Sequence, residues 1–314
     1  MYNNINITVA LILGFPGLGH FKIVFFCTLL IVYLATLCGN VLIIILVFYN
    51  KDLHTPMYFF LTQITVSDIT LSTCIAPYTL NVISSSGATI PFIGCLFQFY
   101  LFFYLETLDC YLLTIMAYDR YLAISNPLRY HAVMTPRLCL VLIILCWVLG
   151  LIPPTFVIEK IWGASFCGFN VIDHFFCDFE PIIQLICSET SQIRREAMFF
   201  SVPVVMCPFV VIIISYVYII VTIVRISSVS GRQKAVSTCS SHLSVVVIFY
   251  GTLLVMYEFP SSDSTTTRKV LSMLYTVLVP LLNALIYSLR NKEIKIAYVK
   301  LTSCVYGVFH GRSF

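Results

Sequence analysis

The sequence predicts an all-α membrane protein: a bundle of seven membrane-spanning helices with a short amphipathic helix at the C-terminus. Three observations predict it. Of the 314 residues, 60% are hydrophobic and only 10% charged, with a mean hydropathy of +0.96, whereas a soluble domain carries roughly 25% charged residues to face water. The apolar residues fall into seven runs, each near the about 20 residues that a helix needs to cross a hydrocarbon layer about 30 Å thick. The basic residues collect in alternate links between those runs. This composition excludes a soluble enzyme and a disordered regulator. It also excludes a nucleic-acid binder, because the net charge of +4 comes from sparse residues and not from a basic patch.

In order, the first run is Ile23 to Tyr49, without a charged residue. The second, Met57 to Ser84, carries Asp68, and the third, Cys95 to Met116, carries Glu106 and Asp109. Leu138 to Ile158, Ala197 to Val224 and Val270 to Leu289 are uncharged and make the fourth, fifth and seventh; the sixth, Ala235 to Tyr257, carries His242. The chain reads as a single domain over 1–314, with an outer N-terminus (1–22), a helix bundle (23–289) and an inner helix and tail (290–314). No repeat of 20–50 residues is visible.

Loop charge sets the direction. With the N-terminus outside, the inner side holds Lys51, Arg120, Arg129, Arg137, Arg225, Arg232, Lys234, Arg290, Lys292, Lys295, Lys300 and Arg312, twelve of the 18 basic residues. Positive charge is retained on the cytoplasmic side, so this orientation is expected, with the chain a multi-pass protein of the plasma membrane. The first 22 residues lack a basic start and a cleavage-type signal, leaving the first span as the insertion signal. Asn6-Ile7-Thr8 is a glycosylation sequon on the outer side. After the seventh span, basic and apolar residues interleave from Arg290 to Leu301, as in a helix lying along the inner leaflet.

Most of the thirteen cysteines lie in spans, where a thiol acts as a small hydrophobe. Four lie outside: Cys95 at the mouth of the third span, and Cys167, Cys177 and Cys187 in the long link between the fourth and fifth. An oxidising exterior favours disulfides, and four cysteines allow three connectivities. A metal is the rival reading, but the link has no paired CxxC spacing and only His174 to help.

Short motifs mark the span ends. Leu53-His54-Thr55-Pro56-Met57-Tyr58-Phe59 precedes the second span, and Met116-Ala117-Tyr118-Asp119-Arg120-Tyr121 ends the third, followed by Asn126-Pro127-Leu128-Arg129-Tyr130. Ser215-Tyr216 lies in the fifth. Lys234-Ala235-Val236-Ser237-Thr238-Cys239-Ser240-Ser241-His242 opens the sixth, with Phe249-Tyr250-Gly251-Thr252 further on, and Pro280-Leu281-Leu282-Asn283-Ala284-Leu285-Ile286-Tyr287 closes the seventh. Seven motifs in this order, from about Gly14 to Lys300, resemble vertebrate odorant receptors of the rhodopsin-like G-protein-coupled family, and Thr55 resembles the group called class II.

The resemblance implies disulfides Cys95–Cys177 and Cys167–Cys187, which would pin the long outer link across the pocket mouth. It implies an odorant as ligand, and a stimulatory olfactory G protein with cyclic AMP as output. It places Asp119, Arg120, Tyr121, Pro127, Tyr216, Lys234, His242 and Tyr287 in coupling and activation. A lone arginine at a helix end can simply snorkel to the interface; the functional reading of Arg120 is a switch, held by local partners at rest and released when the sixth span swings out. Cys239 and His242, three apart, are too few to make a metal site, and inner packing is the plainer role of His242.

Carboxylates inside a membrane are expensive and face the bundle interior. Asp68, Asp109 and Asn283, with Asn40, form a candidate sodium site of hard oxygen ligands; the family usually has glutamate where Asp109 stands. The rival is a water-filled hydrogen-bond network. No other cofactor is expected. Glu106, which the family pattern does not call for, lies about 16 Å below Cys95 at about 1.5 Å per residue, at the floor expected of a pocket. A carboxyl in apolar surroundings keeps its proton or attracts a cation. One reading is therefore contact with an amine or other hydrogen-bond donor, and the other a bond to a nearby hydroxyl such as Thr107 or Tyr250.

By facing, the pocket also takes Phe99, Phe103, Thr107 and Cys110 from the third span, and Phe200, Ser201 and Val204 from the fifth. Tyr250, Leu254 and Tyr257 come from the sixth, Met273 and Thr276 from the seventh. Most are apolar, as a small hydrophobic ligand requires. Ala284 replaces the family's seventh-span proline, one turn after Pro280, and Ser125 replaces a usual cysteine. A transporter or channel is the alternative. Against it stand the odd number of spans and the lack of an inverted repeat. A membrane enzyme is less favoured still, since no nucleophile–base pair or metal triad is evident.

Overall fold

A computed structural model of the chain describes residues 7–166, 170–258 and 265–309. Seven helices within it are long and apolar enough to cross a membrane: Gly19–Tyr49, Pro56–Ser85, Phe92–Ser125, Pro136–Trp162, Ser191–Arg225, Val229–Val255 and Thr265–Arg290. Their order and number are those of the seven apolar runs, which they extend by a few residues at most ends. A helix satisfies every backbone group within itself, which hydrocarbon demands. The first span exposes most of its surface, whereas the third is the buried axis, packed on the second, fourth, fifth and sixth.

Several helices start with proline at the first turn, where its missing N–H is no loss: Pro56–Ser85, Pro127–Val133 and Pro136–Gly150. The fourth span is broken. It stops at Gly150 and resumes over Ile152–Trp162, because Pro153 and Pro154 cannot donate to the preceding turn. The seventh span is irregular too. Between Thr265–Met273 and Val279–Arg290, Leu274–Leu278 forms a π-helical turn. Pro280 lies just beyond it; its missing N–H frees the Thr276 carbonyl, and the ring's bulk favours the wider turn. At Ala284 the seventh span touches the first so closely that a Cβ on Gly39 would stand 3.0 Å from the Ala284 Cβ.

A small sheet caps one end of the bundle. β1 (Val9–Ile12) pairs antiparallel with β2 (Ala88–Pro91), Val9 opposite Pro91, and parallel with β3 (Val171–Ile172). The N-terminal segment is thereby threaded between two inter-span links. It then turns at Gly14, whose φ of +64° suits a residue without a side chain. At the opposite end the helix Lys292–Phe309 buries Ile294 and Ala297 and presents Ile296 and Val299 outward, the one-sided pattern of an interfacial helix.

Candidate ligand and coupling sites

The link between the fourth and fifth spans folds over the capped end. Cys95 at the start of the third span is bonded to Cys177, so β3 and the short helix Phe179–Ile183 are tied to the bundle axis. The Gln98 side chain accepts from the Cys177 N–H at 2.9 Å and donates to the Cys74 carbonyl at 3.0 Å. Cys187 is also disulfide-bonded, and its neighbours Ile186 and Phe166 form a β-bridge; Cys167 lies outside the described residues, as does Asn6.

This lid is held by charge as well. Arg194 makes a two-pronged pair with Glu180, at 2.5 and 2.9 Å, which keeps that carboxyl below its ordinary range. The Lys269 ammonium at the top of the seventh span reaches Asp173 at 2.5 Å and the Gly14 carbonyl at 2.7 Å, joining span, lid and N-terminal segment. Burial, then the Lys269 charge, pull the His174 imidazole down to about 3. Burial pushes the Asp178 carboxyl up to about 6, against the Phe179 N–H that it accepts at 2.7 Å. A cavity of about 140 Å³ opens here between Asp173, His174, Asp178, Glu180, Arg268 and Ser272.

Beneath the lid the third span presents its expected face inward. Phe99, Thr107 and Cys110 are buried, Glu106 is 9% exposed, and Phe103 is half-buried. Phe99 meets Phe103 at 6.0 Å and Phe179 of the lid at 6.1 Å. Tyr250 is buried against Phe209 and Phe249, beside the Cys110 thiol. Val204 and Thr276 are buried, and Ser201 and Met273 half-buried.

Two expectations need correction. Leu254 is 49% exposed on the outer face of the sixth span, because its inward-facing neighbours are Tyr250 and Leu253. Phe200 turns toward the fourth span and stacks on Phe156 at 4.8 Å. The Tyr257 side chain lies outside the described residues.

Glu106 has a partner that periodicity does not reveal. Its carboxyl takes a hydrogen bond from the Tyr275 hydroxyl, while Oε2 has none among the described residues. Tyr275 sits in the π-helical turn, where each residue advances by less than the roughly 100° that regular spacing assumes, so only the proline nearby hinted at it.

One layer deeper, the Asn283 amide donates to both oxygens of Asp68 at 3.3 Å. Asn40 Oδ1, Ser67 Oγ, Asp109 Oδ1 and Asn283 Oδ1 are buried without partners among the described residues. Such a set of orphaned oxygens fits a hard cation or ordered water.

At the far end, Asp119 is fully buried and grips the adjacent Arg120, whose Nε donates at 3.0 Å. The Tyr130 hydroxyl, in the short helix that Pro127 opens, donates to the other carboxylate oxygen at 2.8 Å. The two ring nitrogens of His242 lie 3.2 Å from the Leu113 carbonyl and 2.7 Å from the Tyr216 hydroxyl. A carbonyl only accepts, so Nε2 carries the proton and Nδ1 accepts from Tyr216. His242 thus staples the sixth span to the third and fifth. Tyr287 is fully buried with its hydroxyl unpartnered among the described residues, and Tyr121 packs near Tyr218 at 5.6 Å. Arg120 lines a cavity of about 530 Å³ with Tyr58, Ser237, Ser241 and Glu293. The Lys234 side chain lies outside the described residues.

A seven-span bundle with a disulfide-pinned lid at one end and a buried Asp–Arg pair beside a cavity at the other is the architecture of a G-protein-coupled receptor. Comparison with known proteins narrows this. The family model described as "Olfactory receptor" matches residues 26–304. The chain is 42% identical to olfactory receptor 1468 of Rattus norvegicus over 95% of its own length and 96% of the relative's. It is 46% identical to olfactory receptor 6N1 of Homo sapiens (91% and 92%) and 44% identical to olfactory receptor 5G25 of Mus musculus (94% of each). The chain belongs to the olfactory receptor family: it is an odorant-sensing G-protein-coupled receptor, a class that is not enzymatic.

Proposed function

We propose that this receptor lies in the plasma membrane with its N-terminus and lid outside. It binds a small odorant between the third, fifth, sixth and seventh spans, and answers by driving nucleotide exchange on the stimulatory olfactory G protein, raising cyclic AMP. The observation that carries the coupling half is the placement of Arg120: clamped by Asp119 and Tyr130, yet lining a cavity large enough to admit part of a partner helix. An odorant that prefers the bundle with this clamp open tilts an existing equilibrium toward it. His242, Tyr216 and Tyr287 are the side chains that rearrange as the sixth span leaves the third.

The ligand half rests on Glu106. Its free Oε2 is a buried acceptor on the helix face that also carries Phe99 and Phe103, so the receptor takes amines or other donor-bearing odorants. Asp68, Asp109 and Asn283 would hold a sodium ion, which supplies positive charge between two carboxylates; this fits the orphaned oxygens around them.

The test is a screen of alkyl amines and matched neutral odorants on cells reporting cyclic AMP, with the wild type and Glu106→Gln. Amine responses that fall in the variant while neutral responses persist support the reading. Equal amine responses in both overturn the role of Glu106, and odorant responses without cyclic AMP overturn the choice of G protein.

A further inference from the structure

The buried residue that the functional account leaves unused is Tyr275. Its hydroxyl occupies one oxygen of Glu106 and leaves Oε2 free, so a ligand that donates to both oxygens has to displace it. Its ring also meets Phe102 at 5.8 Å and Phe249 of the sixth span at 6.4 Å. Phe102 in turn meets Phe176 of the lid at 5.3 Å, Phe176 meets Phe175 at 4.9 Å, and Phe249 meets Tyr250 at 5.3 Å. Tyr275 therefore touches the acceptor of the pocket and the sixth span at once, and ring contacts continue from it into the lid.

We propose that Tyr275 is a built-in competitor for the ligand's hydrogen-bond donor, and that recognition at Glu106 is an exchange of donors. This rests on the reading of Glu106 as the ligand's acceptor and deepens it. In the resting bundle the phenol holds one of the two carboxyl oxygens. An incoming ammonium, which can donate to both oxygens at once, takes the whole carboxyl, the phenol is released, and the ring shifts against Phe249.

The π-helical turn makes the exchange practicable. Its backbone bonds can revert to the tighter α pattern, rotating Tyr275 without unwinding the span. Glu106 makes a bond with any donor, whereas a ligand without one gains nothing by displacing the phenol. The pair therefore discriminates between odorants by what they donate and not only by shape. Tyr275 acts as a positioning and specificity residue.

The experiment compares primary n-alkyl amines with methyl ketones of equal chain length, which accept but do not donate. Cyclic AMP dose–response is read on cells expressing the full chain, normalised to surface receptor. Tyr275→Phe keeps the ring and removes only the hydroxyl. The expected result is a fall of about tenfold in the amine concentration for half response, the release of one hydrogen bond, with ketone responses moved less than threefold.

In the Glu106→Gln background the same change should give amines no further gain. Should Tyr275→Phe fail to reach the surface, Tyr275→Trp, which keeps an aromatic ring but withdraws the donor from Glu106, is expected to lower the half-response amine concentration in the same direction, with ketone responses moved less. An amine response unchanged or weakened by Tyr275→Phe, while Glu106→Gln still lowers it, overturns the exchange and leaves Glu106 as the acceptor. Amine responses indifferent to Glu106→Gln overturn that underlying reading itself.

Discussion

The Lys269–Asp173 pair should be unequal in a way that single substitutions reveal. The Lys269 side chain is 6% exposed and that of Asp173 is 42% exposed. Replacing Lys269 with Met removes the charge, leaves Asp173 free to hydrate, and costs chiefly the bond to the Gly14 carbonyl, about 1 kcal/mol. Replacing Asp173 with Ala instead strands an ammonium out of water with one carbonyl for company. That costs about 3 kcal/mol, the low end for a broken buried pair because Asp173 itself is partly solvated.

The two variants should therefore differ by roughly 2 kcal/mol, or about 4–8 °C in apparent unfolding temperature at one scan rate. The assay is thermal unfolding in lipid discs with a thiol-reactive dye reporting the buried Cys110, Cys139, Cys146 and Cys239. The reasoning fails if Lys269→Met lowers the unfolding temperature as much as Asp173→Ala does.

Gly14→Ala should destabilise by about 2–4 kcal/mol, combining a left-handed backbone with a Cβ that would stand 2.5 Å from Val82 Cγ1, and Val82→Ala should restore part of the loss in the same dye assay. The lid should carry opposing pH terms. Asp178, raised to about 6, favours the docked lid below its ordinary value and loses that contribution as pH climbs through 6. His174, lowered to about 3, favours it above 6.5 and loses that contribution as pH falls toward 3. Asp178→Asn should therefore make lid protection against hydrogen exchange decline on acidification from pH 6.5, and an unchanged profile would refute the pairing. Tyr130→Phe removes one bond from the Asp119–Arg120 clamp, about 1 kcal/mol, and should raise odorant-free nucleotide exchange about fivefold; slower exchange would contradict it.

The spans were legible because hydrocarbon imposes one solution on a run of apolar residues, and the same run appears in helix after helix. What departed from them were local backbone events. Pro153 and Pro154 split the fourth span, and the π-helical turn before Pro280 brought Tyr275 to Glu106; ideal 100° spacing predicts neither.

The same assumption misplaced Leu254. The capping sheet was not foreseen, since Val9–Ile12 is a four-residue apolar stretch whose partners, Ala88–Pro91 and Val171–Ile172, are distant in the chain. Lys269 falls one residue before the seventh apolar run, and the fold buries it against Asp173 and Gly14, a pairing that no spacing rule connects. Arg120 was legible as a residue, while its clamp through Tyr130 depends on how the helix Pro127–Val133 docks.

The account stands on mechanical connection between an odorant held under the lid and Arg120 at the far end of the bundle. Nucleotide exchange on purified stimulatory G protein, with the receptor in lipid discs and labelled odorant binding followed in parallel, tests that connection most directly. Odorant should accelerate exchange on the wild type, and Arg120→Ala should abolish the acceleration while saturable odorant binding persists. Full acceleration by Arg120→Ala, or bound odorant that never changes the exchange rate of the wild type, would contradict it.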